Sequence, residues 1–230
     1  MNMFQRISPI VLALVIAVPA SAQITTYSTR AGFVGVAGPI TTETFQSCGT
    51  TTTTLGTNTT LSATNLGPCS SINSNMTFRP QAEGELYIAG PNQSSNITTA
   101  LGVNGPAGGY NEVAFGSSMK AFGADLFQNI GGGFQFEVGQ PFLAVILGAG
   151  NAVVGSFSFN IAATTGGFFG FTSVQNVTAV RISQTTGYGV MDNVSIGAAS
   201  TSTVPEPSIW ALMTAGLCAV GVVARRRRSA

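Results

Sequence analysis

The segment Phe134-Gln135-Phe136-Glu137-Val138 decides the fold class, because apolar and polar side chains alternate along it. Alternation with a period of two puts one face of a β-strand against a core and the other in water. The segment Val177-Thr178-Ala179-Val180-Arg181-Ile182 shows the same kind of alternation. Both segments predict half-buried strands, and Asn129–Gly133 predicts a glycine-rich hairpin turn before the first of them.

Eight further short apolar or alternating runs are separated by Gly, Asn, Pro and Thr, and no long stretch has the 3.6-residue period of a helix. Ten short strands at roughly 8–12-residue spacing predict an all-β fold, an antiparallel β-sandwich or jelly roll. The further candidate strands are Thr41–Gln46, Glu85–Ala89, Glu112–Phe115, Met119–Phe127, Phe142–Leu147, Val153–Phe159, Gly167–Phe171 and Gly189–Ile196.

The composition excludes several function classes. Only 7% of residues are charged, against about 25% in an ordinary soluble domain. Between Gln23 and Val204 there are four basic and seven acidic residues, a net charge of −3, so we expect no nucleic-acid binding. Histidine is absent, which excludes Ser–His and Cys–His nucleophiles and His-ligated metals.

The N-terminus has the three parts of a secretory signal peptide. Arg6 supplies the positive charge, Ile10–Val18 the apolar run and Ala20-Ser21-Ala22 the small-residue cleavage site. The apolar run is too short to span a bilayer comfortably. We therefore expect residues 1–22 to be a cleaved signal peptide; the alternative is an uncleaved anchor.

The C-terminus predicts a membrane anchor. Ser208–Ala224 is an uncharged stretch of 17 residues, at the short limit for a transmembrane helix. The four arginines Arg225, Arg226, Arg227 and Arg228 follow at once and act as a stop-transfer cluster that stays cytoplasmic. This orientation puts the body outside the inner membrane, and a nucleic-acid patch is the less favoured interpretation of the arginines.

The order Val204-Pro205-Glu206-Pro207, apolar stretch, basic cluster resembles the PEP-CTERM sorting domain of Gram-negative bacteria. The resemblance implies that Pro205, Glu206 and Pro207 are the sorting signal read by an exosortase, a membrane transpeptidase. It also implies a link to exopolysaccharide and biofilm production. The expected organisation is a signal peptide at 1–22, a body at 23–199, a linker at 200–204 and a sorting and anchor segment at 205–230.

The body resembles those of other PEP-CTERM proteins along Ala121–Leu126, Gly167–Phe171 and Val190–Val194. That resemblance implies a jelly roll of the carbohydrate-binding kind, in which a structural calcium often lies between the first and last strands. Oxygen ligands suit calcium, and Glu43 and Asp192 occupy the matching positions in strand order. The alternative is that Asp192 bonds a backbone turn; no cofactor is otherwise expected.

Two cysteines, Cys48 and Cys69, lie in the exported body, and Cys218 lies in the apolar C-terminal stretch. An oxidising compartment favours a Cys48–Cys69 disulfide over two free thiols. Such a bridge contributes roughly 3 kcal/mol in the chain-entropy model. It would hold Thr50–Ser74, whose Thr-, Ser- and Asn-rich composition predicts a long surface loop.

The sequence leaves three functions open. The first is a surface or exopolysaccharide-associated structural or interaction protein, sorted through an exosortase and held at the inner membrane before it reaches the surface. The second is a carbohydrate-binding module that docks on extracellular polysaccharide. The third, least favoured, is a secreted glycoside hydrolase that would use a pair drawn from Glu83, Glu85, Glu112 and Glu137. We expect no enzymatic activity.

Overall fold

The computed structural model describes residues 24–91, 98–104, 109–129, 141–161, 166–184 and 188–198, together with Gly216. The predicted signal peptide, the turn residues 130–133, the strand Phe134–Val138, the linker 200–204 and the rest of the C-terminal segment lie outside the described residues. None of the helices within the described part has the length and apolarity needed to cross a membrane.

The described residues form twelve strands, one short α-helix and two 3-10 turns. The helix, α1, is Arg30–Val34, and the 3-10 turns are Gln46–Cys48 and Ala149–Asn151. The strands are β1 Ile24–Tyr27, β2 Ile40–Glu43, β3 Thr53–Thr57, β4 Leu61–Ser62, β5 Met76–Pro80, β6 Glu85–Ala89, β7 Ala100–Asn104, β8 Tyr110–Asn129, β9 Phe142–Leu147, β10 Val153–Phe159, β11 Gly167–Gln184 and β12 Tyr188–Gly197.

The twelve strands belong to one antiparallel sheet. Its main path runs β10-β9-β11-β8-β12-β7-β6-β3, while β1 pairs with β11, β2 with β12, β5 with β8 and β4 with β5. The prediction of an all-β, antiparallel body is confirmed.

Two long strands divide this sheet into two layers. The first part of β8, Tyr110–Ala114, pairs with the last part of β11 on one side and with β5 on the other. Layer A consists of these three segments together with β4, β9 and β10. The later part of β8, Ala121–Leu126, pairs with the first part of β11 on one side and with β12 on the other. Layer B consists of these three segments together with β1, β2, β3, β6 and β7. Register shifts in β11 between Thr172 and Ala179 mark the passage from one layer to the other.

The inner faces of both layers share one core. Phe159 of layer A stacks on Phe169 of layer B with ring centroids 4.3 Å apart. Val180 and Ile182 of layer A belong to the same buried cluster as Phe122 of layer B. Burying an aliphatic or aromatic side chain of this size contributes about 1.5–3 kcal/mol, so this shared cluster holds the layers together.

Helix α1 lies between β1 and β2 and covers part of layer B. The Thr29 side chain caps it by accepting a hydrogen bond from the Gly32 backbone N–H at 3.3 Å. Phe33 is fully buried, with its ring 5.6 Å from that of Phe168. This packing fixes the start of the helix, where Arg30 lies.

The structure corrects three sequence-based expectations. The runs Glu112–Phe115 and Met119–Phe127 belong to the single strand β8, and Gly167–Phe171 and Val177–Ile182 to the single strand β11, because both chains stay extended between the runs. Thr50–Ser74 is not a continuous loop, because it contains β3 and β4. β-Branched threonine favours extended backbone, and β3 pairs with β6.

Candidate functional site

The predicted disulfide is confirmed: Cys48 and Cys69 are bonded to each other and both are buried. The chain near the bridge is joined by further bonds. The Ser70 backbone N–H donates to the Ser47 carbonyl oxygen at 2.9 Å, and the Ser47 hydroxyl donates to the Ser71 carbonyl oxygen. The disulfide therefore belongs to a crosslinked region.

Glu43, one of the two predicted calcium ligands, is buried at the end of β2. Its Oε1 accepts a hydrogen bond from the Phe45 backbone N–H at 2.9 Å, and its Oε2 accepts one from the Asn73 backbone N–H at 2.8 Å. The carboxylate thus joins two chain segments 30 residues apart and closes the same connection that the disulfide closes.

Asp192, the second predicted ligand, lies on β12 directly opposite Asp125 of β8 and is 1% exposed. Its Oδ1 accepts from the Asn193 backbone N–H at 2.6 Å, and its Oδ2 accepts from the Thr98 hydroxyl. Desolvation raises the pKa of Asp192 from 3.8 to about 6. The charge of Asp125 raises this pKa too, whereas the two hydrogen bonds and the charge of Arg30 lower it.

Arg30 neutralises Asp125 from the start of α1. Its Nη2 lies 3.0 Å from Asp125 Oδ2, and its Nε donates to Oδ1 at 3.3 Å. The same guanidinium donates to the Ser195 hydroxyl and to the Asn193 carbonyl oxygen, at 3.0 and 2.8 Å. These bonds fasten α1 to β8 and β12, which indicates a structural role for this cluster.

The two predicted calcium ligands lie on paired strands, with Glu43 opposite Val194. Each carboxylate accepts hydrogen bonds from different protein groups. Among the described residues there is no group of three or more Cys, Asp or Glu side chains that could hold a metal ion. The calcium site stays a prediction.

The carboxylates considered for a glycosidase lie in different settings. Glu83 is exposed in the turn before β6 with a φ of 67°, and Glu85 accepts a hydrogen bond from the Thr57 hydroxyl. Glu112 is bound between two arginines on layer A. Glu137 lies outside the described residues.

Glu112 is at the centre of a charged row that crosses the outer surface of layer A. Glu112 of β8 lies directly opposite Arg79 of β5 on one side and Arg181 of β11 on the other. Arg181 Nε donates to Glu112 Oε2 at 2.8 Å, and its guanidinium carbon lies 4.7 Å from the centre of the Tyr110 ring. Arg79 Nη1 lies 3.7 Å from Glu112 Oε1. We call these four residues the Arg–Glu–Arg face.

Sequence reasoning did not identify this face. The alternation in Val177–Ile182 indicated that Arg181 points to solvent, and its side chain is 33% exposed while Val180 and Ile182 are buried. Arg79 lies on β5, which no sequence pattern had predicted. The pairing of three strands distant in the chain was therefore needed to bring the two arginines together.

Comparison with protein families identifies the C-terminal segment. Residues 203–228 match the family described as the PEP-CTERM protein-sorting motif. The chain carries a PEP-CTERM motif. The match includes the predicted signal residues Pro205, Glu206 and Pro207 and all four arginines from Arg225 to Arg228. Because these residues lie outside the described part of the structure, the PEP-CTERM assignment rests on the sequence match.

No match was found among curated protein sequences. Among solved structures, the chain is similar to a family 11 carbohydrate-binding module from Clostridium thermocellum in complex with a β-1,3-1,4-mixed-linked tetrasaccharide. Identity is 11% and the TM-score 0.32, over 56% of this chain and 91% of that one. The chain is also similar to the family 11 module of the cellulosomal cellulase Lic26A-Cel5E of the same organism. Here the identity is 10% and the TM-score 0.30, over 56% of this chain and 89% of that one. At such TM-scores neither likeness supports an argument about fold or ligand.

Proposed function

We propose that this chain is an exported protein of the cell surface or the extracellular polysaccharide matrix, sorted by an exosortase through its C-terminal tail. The observation that carries this proposal is the PEP-CTERM motif at residues 203–228. Proline disfavours the helical conformation in the residue before it, so a signal with prolines at positions 205 and 207 suits presentation to a processing enzyme.

The route to the surface follows from the two ends of the sequence. Residues 1–22 direct export as a cleaved signal peptide. The apolar stretch Ser208–Ala224 then holds the chain in the inner membrane as a transmembrane helix, with Arg225–Arg228 on the cytoplasmic side. The jelly-roll-like body, residues 23–199, is exported ahead of this anchor and reaches the surface or matrix after sorting.

We propose further that the body is a structural or interaction module and not an enzyme. Glu112 is held by two arginines, Glu85 is bonded to Thr57, and Glu83 lies in a separate turn. A glycosidase needs two carboxyl groups at a defined separation across one substrate site. Glu85 of β6 and Glu112 of β8 belong to different layers, and the chain has no histidine to act as the base of a Ser–His or Cys–His nucleophile.

Carbohydrate binding by the body is the second candidate function. The specific observation that favours it is the Arg–Glu–Arg face, an open surface that combines polar donors with an aromatic ring. Binding of the chain to the purified exopolysaccharide of its host tests this candidate without affecting the first.

Sorting is tested in the native host with the triple variant P205A/E206A/P207A. The variant should remain in the inner membrane with its tail uncleaved, as the wild-type chain should in a strain that lacks the exosortase. The matched control T201A/S202A changes the linker beside the motif and should be sorted normally. Normal surface delivery of the triple variant would contradict the proposal.

A further inference from the structure

The Arg–Glu–Arg face concentrates positive charge on a body that is acidic elsewhere. Two of the four basic residues between Gln23 and Val204, Arg79 and Arg181, lie on this face, which contains one carboxylate. The three charged groups leave a net charge of +1, whereas the body as a whole carries −3. An anionic ligand would therefore be directed to this surface and repelled from the rest.

Both arginines keep donor groups for a ligand. Arg79 is 51% exposed, and its 3.7 Å approach to Glu112 is too long for a hydrogen bond. The described bond of Arg181 uses Nε, so neither Nη nitrogen has a hydrogen-bond partner among the described residues. Free guanidinium ends of this kind bind carboxylates through paired hydrogen bonds.

The face is also preorganised. Glu112 is 12% exposed and accepts the Arg181 Nε–H at 2.8 Å, while the Tyr110 ring lies against the guanidinium. Both contacts fix the arginine before any ligand arrives, which lowers the entropic cost of binding. The backbones of Arg79 and Arg181 lie two strand spacings apart, about 10 Å, and their guanidinium groups converge on the Glu112 carboxylate between them.

The row continues over strands whose outer side chains are uncharged. Val145 of β9 and Ser156 of β10 follow Arg181 in register. In the neighbouring row, Tyr110 is followed by Ser183, Leu143 and Ser158, and Leu143 is exposed. Among the described residues the surface is thus five strands wide and mixed in polarity, and it suits an extended polymer with hydroxyl, apolar and carboxylate groups.

We infer that the Arg–Glu–Arg face binds a carboxylate-bearing polysaccharide, with Arg79 and Arg181 contacting carboxylates of one polymer. The inference rests on the second candidate function and specifies its ligand class and its site. Sorting through the tail is independent of it.

The test measures binding of the full chain, in mild detergent, to polygalacturonate, to a neutral dextran and to duplex DNA. The wild-type chain should prefer polygalacturonate, and added salt should weaken that binding. The double variant R79Q/R181Q should bind polygalacturonate at least about tenfold more weakly, because it loses two charge-assisted contacts. The matched control K120Q removes one positive charge elsewhere and should stay within about twofold of wild type.

Removing Arg181 leaves the largely buried Glu112 carboxylate less well paired, so melting temperature is measured for every variant. If the double variant does not fold, the single variant R79Q tests the inference instead, because Arg79 is half exposed and its replacement should leave the fold intact. The affinity of R79Q for polygalacturonate should fall about threefold or more. Undiminished binding by either folded variant overturns the inference, and so does tighter binding to DNA than to polygalacturonate.

Two results separate this inference from the functions proposed above. Binding to neutral dextran alone, unchanged in R79Q, overturns the inference and leaves a carbohydrate-binding body standing. Failure to bind the host exopolysaccharide and both test polysaccharides overturns the second candidate function as well. Neither result bears on sorting, which the localisation of the P205A/E206A/P207A variant decides.

Discussion

At Asp192, burial and hydrogen bonding act in opposite directions on one carboxyl group. The group is 1% exposed and faces Asp125 across the strand pair, and both conditions disfavour its ionised form. The Asn193 N–H, the Thr98 hydroxyl and Arg30 compensate only in part, because the pKa still rises to about 6. At neutral pH the protein therefore folds with an ionised group that it holds unfavourably.

The variant D192N should remove a pH dependence of stability. Because the folded pKa of Asp192 lies above its ordinary value of 3.8, the folded state binds the proton more tightly than the unfolded chain does. The stabilisation that protonated Asp192 adds to the free energy of unfolding is fully present below about pH 4 and is lost as pH rises to about 6. It amounts to up to about 3 kcal/mol. Denaturant unfolding of wild type and D192N at pH 4 and pH 7 measures it.

The comparison between the two proteins isolates this group, because every other ionisable side chain is present in both. The control E83Q changes an exposed carboxylate and should keep the pH dependence of the wild type. An equal change in unfolding free energy between pH 4 and pH 7 in wild type and D192N would refute the prediction.

Single residues differ in how far the sequence determines their partners. The Cys48–Cys69 pair could be predicted because the exported body contains two cysteines. The ion pair of Arg30 with Asp125 could not, because it joins positions 95 residues apart and depends on the placement of α1 over layer B. The same holds for Arg79 and Arg181, which meet only through Glu112.

Among the elements, the connection from β2 to β5 contains little regular structure and depends on crosslinks. It includes the short strands β3 and β4, the Gln46–Cys48 turn and the Cys48–Cys69 bridge. Glu43 closes the connection a second time through its bond to the Asn73 N–H. The disulfide persists in the unfolded chain and shortens the loop that folding must order, whereas the Glu43–Asn73 bond forms only in the folded state.

The double variant C48A/C69A should therefore lower the free energy of unfolding by about 3 kcal/mol or somewhat less. The melting temperature should fall by roughly 5–10 °C. Differential scanning calorimetry or thermal circular dichroism of the oxidised chain provides the measurement. The matched control C218A replaces the third cysteine and should melt like wild type; a double variant that also melts like wild type would contradict the assigned role of the bridge.

Short strands with a clear apolar pattern could be predicted in detail. Glu85–Ala89, Phe142–Leu147 and Val153–Phe159 have the bounds that the sequence indicated. Helix α1 was not predicted, because five residues are too few to show a helical period and its stability comes from the Thr29 cap and the burial of Phe33. Strand β3 was missed because the pattern of its threonines is polar, and pairing with β6 decides its conformation.

For the molecule as a whole, the continuity of β8 and β11 has a mechanical consequence. Each strand pairs in layer A along one part and in layer B along the other, and both layers contribute to one core. Opening either layer would remove partners from the strands that build the other. The sequence indicated two short strands in place of each long one, because Gly116-Ser117-Ser118 and Ser173–Asn176 interrupt the apolar pattern without ending the extended backbone.

We therefore expect the two layers to unfold in one cooperative transition. The native tryptophan, Trp210, lies in the tail, so W210F provides a background without tryptophan fluorescence. Y27W on β1 then reports on layer B and F157W on β10 reports on layer A, and both positions are partly buried. In each variant the fluorescence midpoint in denaturant should coincide with the midpoint from far-ultraviolet circular dichroism, which reports on all strands.

Comparing two probes within one sample removes the effect of each tryptophan on overall stability, so a shifted midpoint alone does not count against the prediction. Separate midpoints for fluorescence and circular dichroism in either variant would show that one layer opens before the other. That result would mean that residues 116–120 of β8 and 173–176 of β11, where the register shifts, act as hinges and uncouple the pairing on their two sides. Coincident midpoints would instead show that the register shifts in β11 redirect the strand without weakening its continuity.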